Sequence, residues 1–228
     1  MESLDLLAHN LANATTPGFK ADRELYRQYF SEETVGDENA PMLPTLESHQ
    51  TDFTQGSISN TGNPLDLALS GKGFFVAKGP NGPVYLRAGS FHATGDGRIL
   101  TKEGYEVEIR TPDGQPFRID PRSDLQIGKD GTISQGGVAA GRFAVVDFAT
   151  GTFEKKAGNY FSFSTPQPID AQNVEVHQGA VEQSNASAPE LAVRLVSVMR
   201  QFEMLNRALT LGGEMNRKAV EEVARVSA

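Results

Sequence analysis

The side chains that could carry chemistry in this 228-residue chain are few and scattered. Metal centres and proton shuttles are commonly built from histidine. The four present, His9, His49, His92 and His177, stand far apart, and none has a second histidine three or four residues away. Cysteine is absent, which removes thiol nucleophiles, thiolate-bound metals and disulfides. Asp96, Asp113, Asp120, Asp124 and Asp130 could in principle supply the paired carboxylates of a glycosidase. Four of them adjoin a glycine or proline, where an aspartate side chain caps a turn instead. Gly71-Lys72-Gly73 lacks the further glycine and the helix that would turn N–H groups toward a phosphate, and no G-x-S-x-G elbow is present. Asn13-Ala14-Thr15 and Asn185-Ala186-Ser187 fit the glycosylation sequon, a pattern short enough to arise by chance. The expectation is no catalytic residue, no metal, no cofactor and no enzyme.

Composition narrows the partners. A net charge of −8 without any Lys/Arg cluster argues against nucleic acid and anionic membrane surfaces. No apolar run approaches the roughly 20 residues of a membrane helix. The N-terminus lacks the basic-then-apolar pattern of a cleaved signal peptide, so export would use an uncleaved route.

What the chain does carry is one long helical pattern near its end. Leu191, Leu195, Val198, Phe202, Leu205 and Leu209 follow spacings of four and three residues, the seam of a helix lying along another helix. Ser187 with Glu190 and Pro189 marks the start. Val193, Val196, Met199 and Met204 lie off the seam, so the apolar surface asks for more than one neighbour. Gly212-Gly213 predicts a kink or a frayed end. At the other terminus Met1, Leu4, Leu7, Ala8 and Leu11 share a helical face, which stops at Thr16-Pro17-Gly18.

Between the helices the texture changes twice. From Phe19 to about Phe53 the chain is polar, with Glu32, Glu33, Asp37 and Glu38 near Pro41 and Pro44, and reads as an extended connector that Tyr26, Tyr29 and Phe30 could anchor. From Leu65 to Phe163, short β-type runs are expected at 66–69, 73–78, 84–87, 90–93, 98–101, 105–109, 116–119, 125–127, 132–134, 141–147, 152–156 and 160–163. Asn81-Gly82, Asp96-Gly97, Asp113-Gly114 and Asp130-Gly131 supply tight turns. Residues 164–186 read as irregular.

The expected fold is therefore mainly β with helical termini, an antiparallel β domain inserted between N- and C-terminal helices that form a stem. Its parts are residues 1–30 (first helix and start of the connector), 31–64 (connector), 65–163 (β domain), 164–186 (returning connector) and 187–228 (C-terminal helix).

Three separated stretches carry a family resemblance. His9-Asn10-Leu11-Ala12-Asn13 followed by Thr15-Thr16-Pro17-Gly18-Phe19-Lys20 resembles the N-terminal signature of bacterial flagellar rod and hook proteins. Thr54-Gln55-Gly56, Thr61-Gly62-Asn63-Pro64-Leu65-Asp66-Leu67-Ala68 and Gly73-Phe74-Phe75 resemble the same family's entry into its β domain. Val181-Glu182-Gln183-Ser184-Asn185 and Arg200-Gln201-Phe202-Glu203 are similar to its C-terminal segment. Length and the Arg200–Met204 stretch lean toward the proximal-rod type, with the distal-rod type next.

The resemblance implies a structural subunit of the basal-body rod, exported uncleaved by the flagellar type III apparatus and stacked across the periplasm into an axle that transmits torque. Partners would be other rod proteins and copies of itself, without membrane insertion. It also implies further helical residues ahead of the position of Met1. The residues expected to make the assembly interface are Leu191, Leu195, Val198, Phe202, Leu205 and Leu209, with Leu4, Leu7 and Leu11 opposite. A carbohydrate-active β enzyme would instead need a cleft holding a carboxylate of raised pKa. A stalked adhesion module would need an exposed apolar patch on the β domain.

Overall fold

The computed structural model describes residues 2–29, 43–120, 123–148, 152–156, 159–165 and 168–226. They form two compact units, one of the terminal segments 1–12 and 187–228, the other of residues 13–186.

The helical unit holds α1 (Glu2–Ala12) and α2 (Ala188–Val226), which pack on each other. Leu7 is buried and Leu4 and Leu11 are half-buried, whereas Ala8 is exposed and Asn10 takes the buried position one turn after Leu7. On α2 the half-buried positions Leu191, Leu195 and Val198 fall four and three residues apart. The 11 residues of α1 span about 17 Å and the 39 of α2 about 59 Å, at roughly 1.5 Å per residue. Coverage runs out accordingly, and Phe202, Leu205 and Leu209 are exposed. α2 continues through Gly212-Gly213 to Val226, so the helix does not fray at that pair. Each glycine costs about 1 kcal/mol relative to alanine, which the flanking helix formers Leu209, Leu211, Glu214 and Met215 outweigh.

The β unit is antiparallel throughout. Among the described residues its largest sheet has nine strands, with Phe74–Gly79 flanked by Gly82–Leu86 on one side and by Glu106–Val107 and Val145–Asp147 on the other. Successive side chains of a strand point to opposite faces. Phe75 and Ala77 therefore enter a core with Leu67, Leu69, Phe91, Ile133, Phe143 and Val176, and Phe74 and Val76 enter a second with Tyr85, Val146 and Phe161. A strand apolar on both faces belongs at the centre of such a unit. Leu125–Ile127, Thr132–Gln135, Val138–Phe143 and Ile109–Arg110 form a four-stranded sheet beside it. The glycines expected in turns, Gly82, Gly97, Gly114 and Gly131, all have positive φ.

Three expectations are revised. Residues 116–119 make no strand, although Phe117 and Ile119 are buried in the first core. The stretch read as an extended connector without a definable element contains a two-stranded ribbon, Asp22–Tyr29 against Leu43–Thr51. Its polar residues occupy both faces, as at Arg23, Glu24, His49 and Gln50, so the period-two apolar signal of a half-buried strand never forms. Phe30, Glu32, Glu33, Asp37, Glu38 and Pro41 lie outside the described residues, as do the side chains of Tyr26 and Tyr29. The returning stretch 164–186 holds three short strands, Ile169–Asp170, Glu175–Gln178 and Ala180–Glu182, of which the last two pair with Leu67–Ser70 and Ile58–Asn60.

Candidate functional site

The residues singled out for chemistry are occupied structurally. His9, His49 and His92 are exposed, and His177 is half-buried, 3.9 Å from Glu175. Among the described residues no group of histidine and carboxylate side chains is arranged to hold a metal ion. Asp96 accepts hydrogen bonds from the Thr94 hydroxyl and, at 2.6 Å, from Arg98 Nε. Asp130 accepts from the Thr132 hydroxyl and N–H at 2.6 and 3.0 Å. These bonds, the Thr94 and Thr132 hydroxyls foremost, hold both carboxyls below their ordinary pKa, opposite to the requirement of a general acid. Asp113 lies in the turn that Gly114 N–H closes on Thr111 O, Asp120 accepts from Ser123, and Asp124 accepts from Gln126.

The charged residues that do converge are Lys20, Arg87 and Glu182, each at least 95% buried. Glu182 Oε1 accepts Lys20 Nζ at 2.6 Å and the Gly56 N–H at 2.9 Å, and its Oε2 accepts Arg87 Nε at 2.6 Å. Arg87 also donates to three carbonyls of the Leu69–Gly73 turn, Nη1 to that of Gly73 and Nη2 to those of Leu69 and Gly71. Lys20 also donates to Thr54 O at 2.7 Å. Burial pulls the Lys20 ammonium below its ordinary pKa, while its bond to Glu182 works in the opposite sense. A buried charge persists only when paired and hydrogen-bonded, and the donors around this carboxylate satisfy that condition.

The backbone is drawn in around the same carboxylate. Gly18 N–H donates to Glu182 O at 2.7 Å, and Asn185 accepts from Ala21 N–H while donating to the carbonyls of Asp52 and Thr54. Two glycines make this approach possible. Gly18 has φ +68° and a Cβ there would stand 2.4 Å from Ala88 N, and a Cβ on Gly56 would stand 2.0 Å from Gln183 O. Lys155 braces the edge, reaching Lys20 O and Asp22 Oδ2, both at 2.9 Å, with its ammonium 4.2 Å from the centre of the Phe19 ring. The sequon asparagine Asn185 is thus part of the packing.

The motif residues fall into two places within this unit. Gly18, Phe19, Lys20, Thr54 and Gly56 meet Glu182 and Asn185, while Gln55 bonds Leu69 O and Gly71 N–H, both at 3.1 Å. Thr61-Gly62-Asn63-Pro64-Leu65-Asp66 wraps the turn at Gly179, whose carbonyl accepts from Thr61 and Gly62 N–H and whose N–H donates to Asp66 O. Thr16 N–H closes a turn on Asn13 O, and Pro17 is half-buried. Asn10, Leu11 and Ala12 belong to α1. Sequence reasoning missed Arg87 and Lys155; a lone arginine between Leu86 and Ala88, at the end of an apolar strand, was the only signal for the first.

A cleft of about 750 Å³ adjoins Lys20 and Arg87, walled by Phe53, Phe74, Phe148, Phe153 and Phe163. Asp52 and Asp147 also line it, and the Asp52 carboxyl is raised by burial but lowered more by hydrogen bonds from Thr54 and the charges of Arg23 and Lys20, so that it ends below its ordinary pKa, opposite to the requirement of a general acid.

Comparison with known proteins places these features. Residues 68–135 match the model of the flagellar hook protein FlgE/F/G D1 domain, and residues 177–222 match that of the flagellar basal body rod FlgEFG protein C-terminal region. The flagellar basal-body rod protein FlgF of Caulobacter vibrioides is 33% identical over 98% of this chain and 93% of its own length. The chain belongs to the flagellar basal-body rod protein family. FlgF of Mesorhizobium japonicum is 32% identical over 88% of the chain, and the rod protein FlgG of Agrobacterium fabrum is 28% identical over 93%. The rod subunit is accordingly structural and not an enzyme, FlgF-like in type, with FlgG the next resemblance. Its place is the basal body, among other rod components. The C-terminal match includes Glu182 as well as the apolar stretch of α2 through Leu209.

Proposed function

We propose that this rod subunit takes a place in the proximal rod and assembles there by pairing α2 with helices of neighbouring copies and of other rod proteins. The observation that carries this is the exposure of Phe202, Leu205 and Leu209 at 49, 64 and 75%, directly continuing the half-buried seam of Leu191, Leu195 and Val198. Met204, Leu211 and Met215 add exposed apolar surface off that seam. Burying such side chains yields about 1.5–3 kcal/mol each, so lateral contact is favoured wherever a partner helix is present. A contact between unlike faces that does not close on itself generates a helical stack. Leu7 is buried and Leu4 and Leu11 half-buried in the single chain, so the apolar face left open to neighbours is that of α2 from Phe202 onward. The proximal position is supported by FlgF relatives at 30–33% identity against 24–28% for the FlgG relatives. Delivery would be through the flagellar type III apparatus without cleavage, and the finished rod would cross the periplasm.

The test is the double variant Phe202→Asp/Leu205→Asp. Its β unit folds, and its rods do not assemble. Normal rods from the double variant would remove the proposal. Deleting the gene should leave basal bodies that stop short of the hook, whereas a complete rod in the deletion strain would argue against a proximal position.

A further inference from the structure

The apolar seam of α2 repeats, and a repeating seam does not by itself choose a register. Leu4, Leu7 and Leu11 alternate three and four residues apart. On α2 that alternation occurs at Leu191, Leu195 and Val198, and again one heptad on at Val198, Phe202 and Leu205. A slip of seven residues would move α1 by about 10 Å and still bury apolar side chains of similar size. The structure nevertheless shows one register, with the first set half-buried and Phe202 and Leu205 exposed.

We propose that Glu182 chooses it. By binding Lys20, its carboxylate holds together a point eight residues beyond the end of α1 at Ala12 and a point six residues before the start of α2 at Ala188. The intervening residues are not slack. Thr16 N–H bonds Asn13 O at 3.0 Å, Phe19 N–H bonds Thr16 O at 3.2 Å, and Gly18 N–H bonds the carbonyl of Glu182 itself. On the returning side Gln183 N–H bonds Ser57 O at 2.8 Å, the Asn185 side chain bonds three backbone groups, and Ala186 N–H bonds Ser184 Oγ. These bonds all lie within the β unit, so the chain enters and leaves that unit at one fixed pair of points, Asn13 and Ala186.

The ladder alone is a poor substitute, since Ile58–Asn60 and Ala180–Glu182 contribute three residues each. Apolar packing tolerates slippage, whereas a buried carboxylate with defined donors does not, and fixing register is the best-attested use of a buried polar group. Glu182 is thus a positioning residue, acting on the helices through the segments it ties. The property belongs to the single chain and stands whether or not α2 goes on to meet neighbours.

The absence of cysteine permits a direct measurement. Asp5→Cys and Glu214→Cys, both at exposed helix positions and well separated along α2 so that a slip acts nearly along the line between them, accept spin labels in the full chain, and pulsed electron–electron double resonance reads the distance. The parent gives one narrow distance. Glu182→Ala adds a second population displaced by about 10 Å, one heptad of helix rise. Insertion of Gly-Ser-Gly-Ser after Ala186 does the same while leaving the buried carboxylate and its donors intact, which keeps the test decisive even where Glu182→Ala does not fold. An insertion variant retaining the single parental distance, or a folded Glu182→Ala chain doing so, overturns the proposal, as does a parent that already shows both distances.

Discussion

Lys20 and Glu182 meet at 2.6 Å although 162 positions separate them in sequence. Neither has a solvated alternative, because both side chains are essentially inaccessible. Truncating Glu182 to alanine therefore leaves two buried cations facing each other. A loss of about 3–5 kcal/mol in unfolding free energy is expected. Urea unfolding of the full chain measures it, and a loss below about 1 kcal/mol would contradict the role assigned to this carboxylate.

Arg87→Ala should be costly for a different reason. It removes the side-chain donor from the carbonyls of Gly71 and Gly73 and from one oxygen of Glu182, while Leu69 O keeps the Gln55 amide at 3.1 Å. Unpaired buried acceptors cost about 1–3 kcal/mol each. The vacated space matches a guanidinium in charge and donor geometry. Guanidinium at sub-denaturing concentration should raise the melting temperature of Arg87→Ala while leaving that of the parent unchanged or lowered. Equal responses in the two proteins would count against the assigned contacts.

Glycine substitutions should separate by location. Gly56→Ala places a methyl 2.0 Å from Gln183 O and Gly18→Ala meets Ala88 backbone at a left-handed φ, so each should destabilise the β unit by more than about 2 kcal/mol. Gly212→Ala meets nothing within 4 Å and lies inside α2, so it should stabilise the helix by about 1 kcal/mol. Circular dichroism melts of the three variants check both signs.

The acid limb of stability follows from the turn aspartates. Asp96 and Asp130 have depressed folded pKa values, so their contribution is complete above the ordinary carboxyl value of 3.8 and is lost as pH falls through the folded values. Both are exposed, so the effect is small. Lys20 has the opposite protonation sense. Its folded pKa lies below 10.5, so the unfolded chain binds the proton more tightly and the Lys20 term favours folding increasingly as pH rises between those two values. Titration of the individual side-chain resonances tests all three directions.

Much of this was legible from residue spacing. The seam from Leu191 to Leu209 and the glycine turns of the β unit depend on local periodicity and positive φ, both of which a sequence displays directly. Leu4, Leu7 and Leu11 were legible in the same way, although Ala8 and Asn10 exchanged sides. The ribbon from Asp22 to Thr51 was not, because its strands are polar on both faces, and Phe117 and Ile119 were misassigned because burial without a ladder carries the same alternation as a strand. The ionic contact among Lys20, Arg87 and Glu182 depends on separations of 95 and 162 positions, and no local pattern reports such a meeting. Lys20 and Glu182 were quoted as parts of motifs, yet nothing in the order of residues linked one to the other.

Closing the chain at Lys20 and Glu182 also leaves the length of the exposed loops between them open to change. The entropy lost on closing a loop grows only with the logarithm of its length, so doubling the intervening polypeptide adds about 0.6 kcal/mol. The exposed Gly136-Gly137 bend lies on such a loop, and no side chain crowds it. Sequences grafted there would enlarge the β unit while leaving its clasp unchanged, which makes this bend a natural port for added cargo.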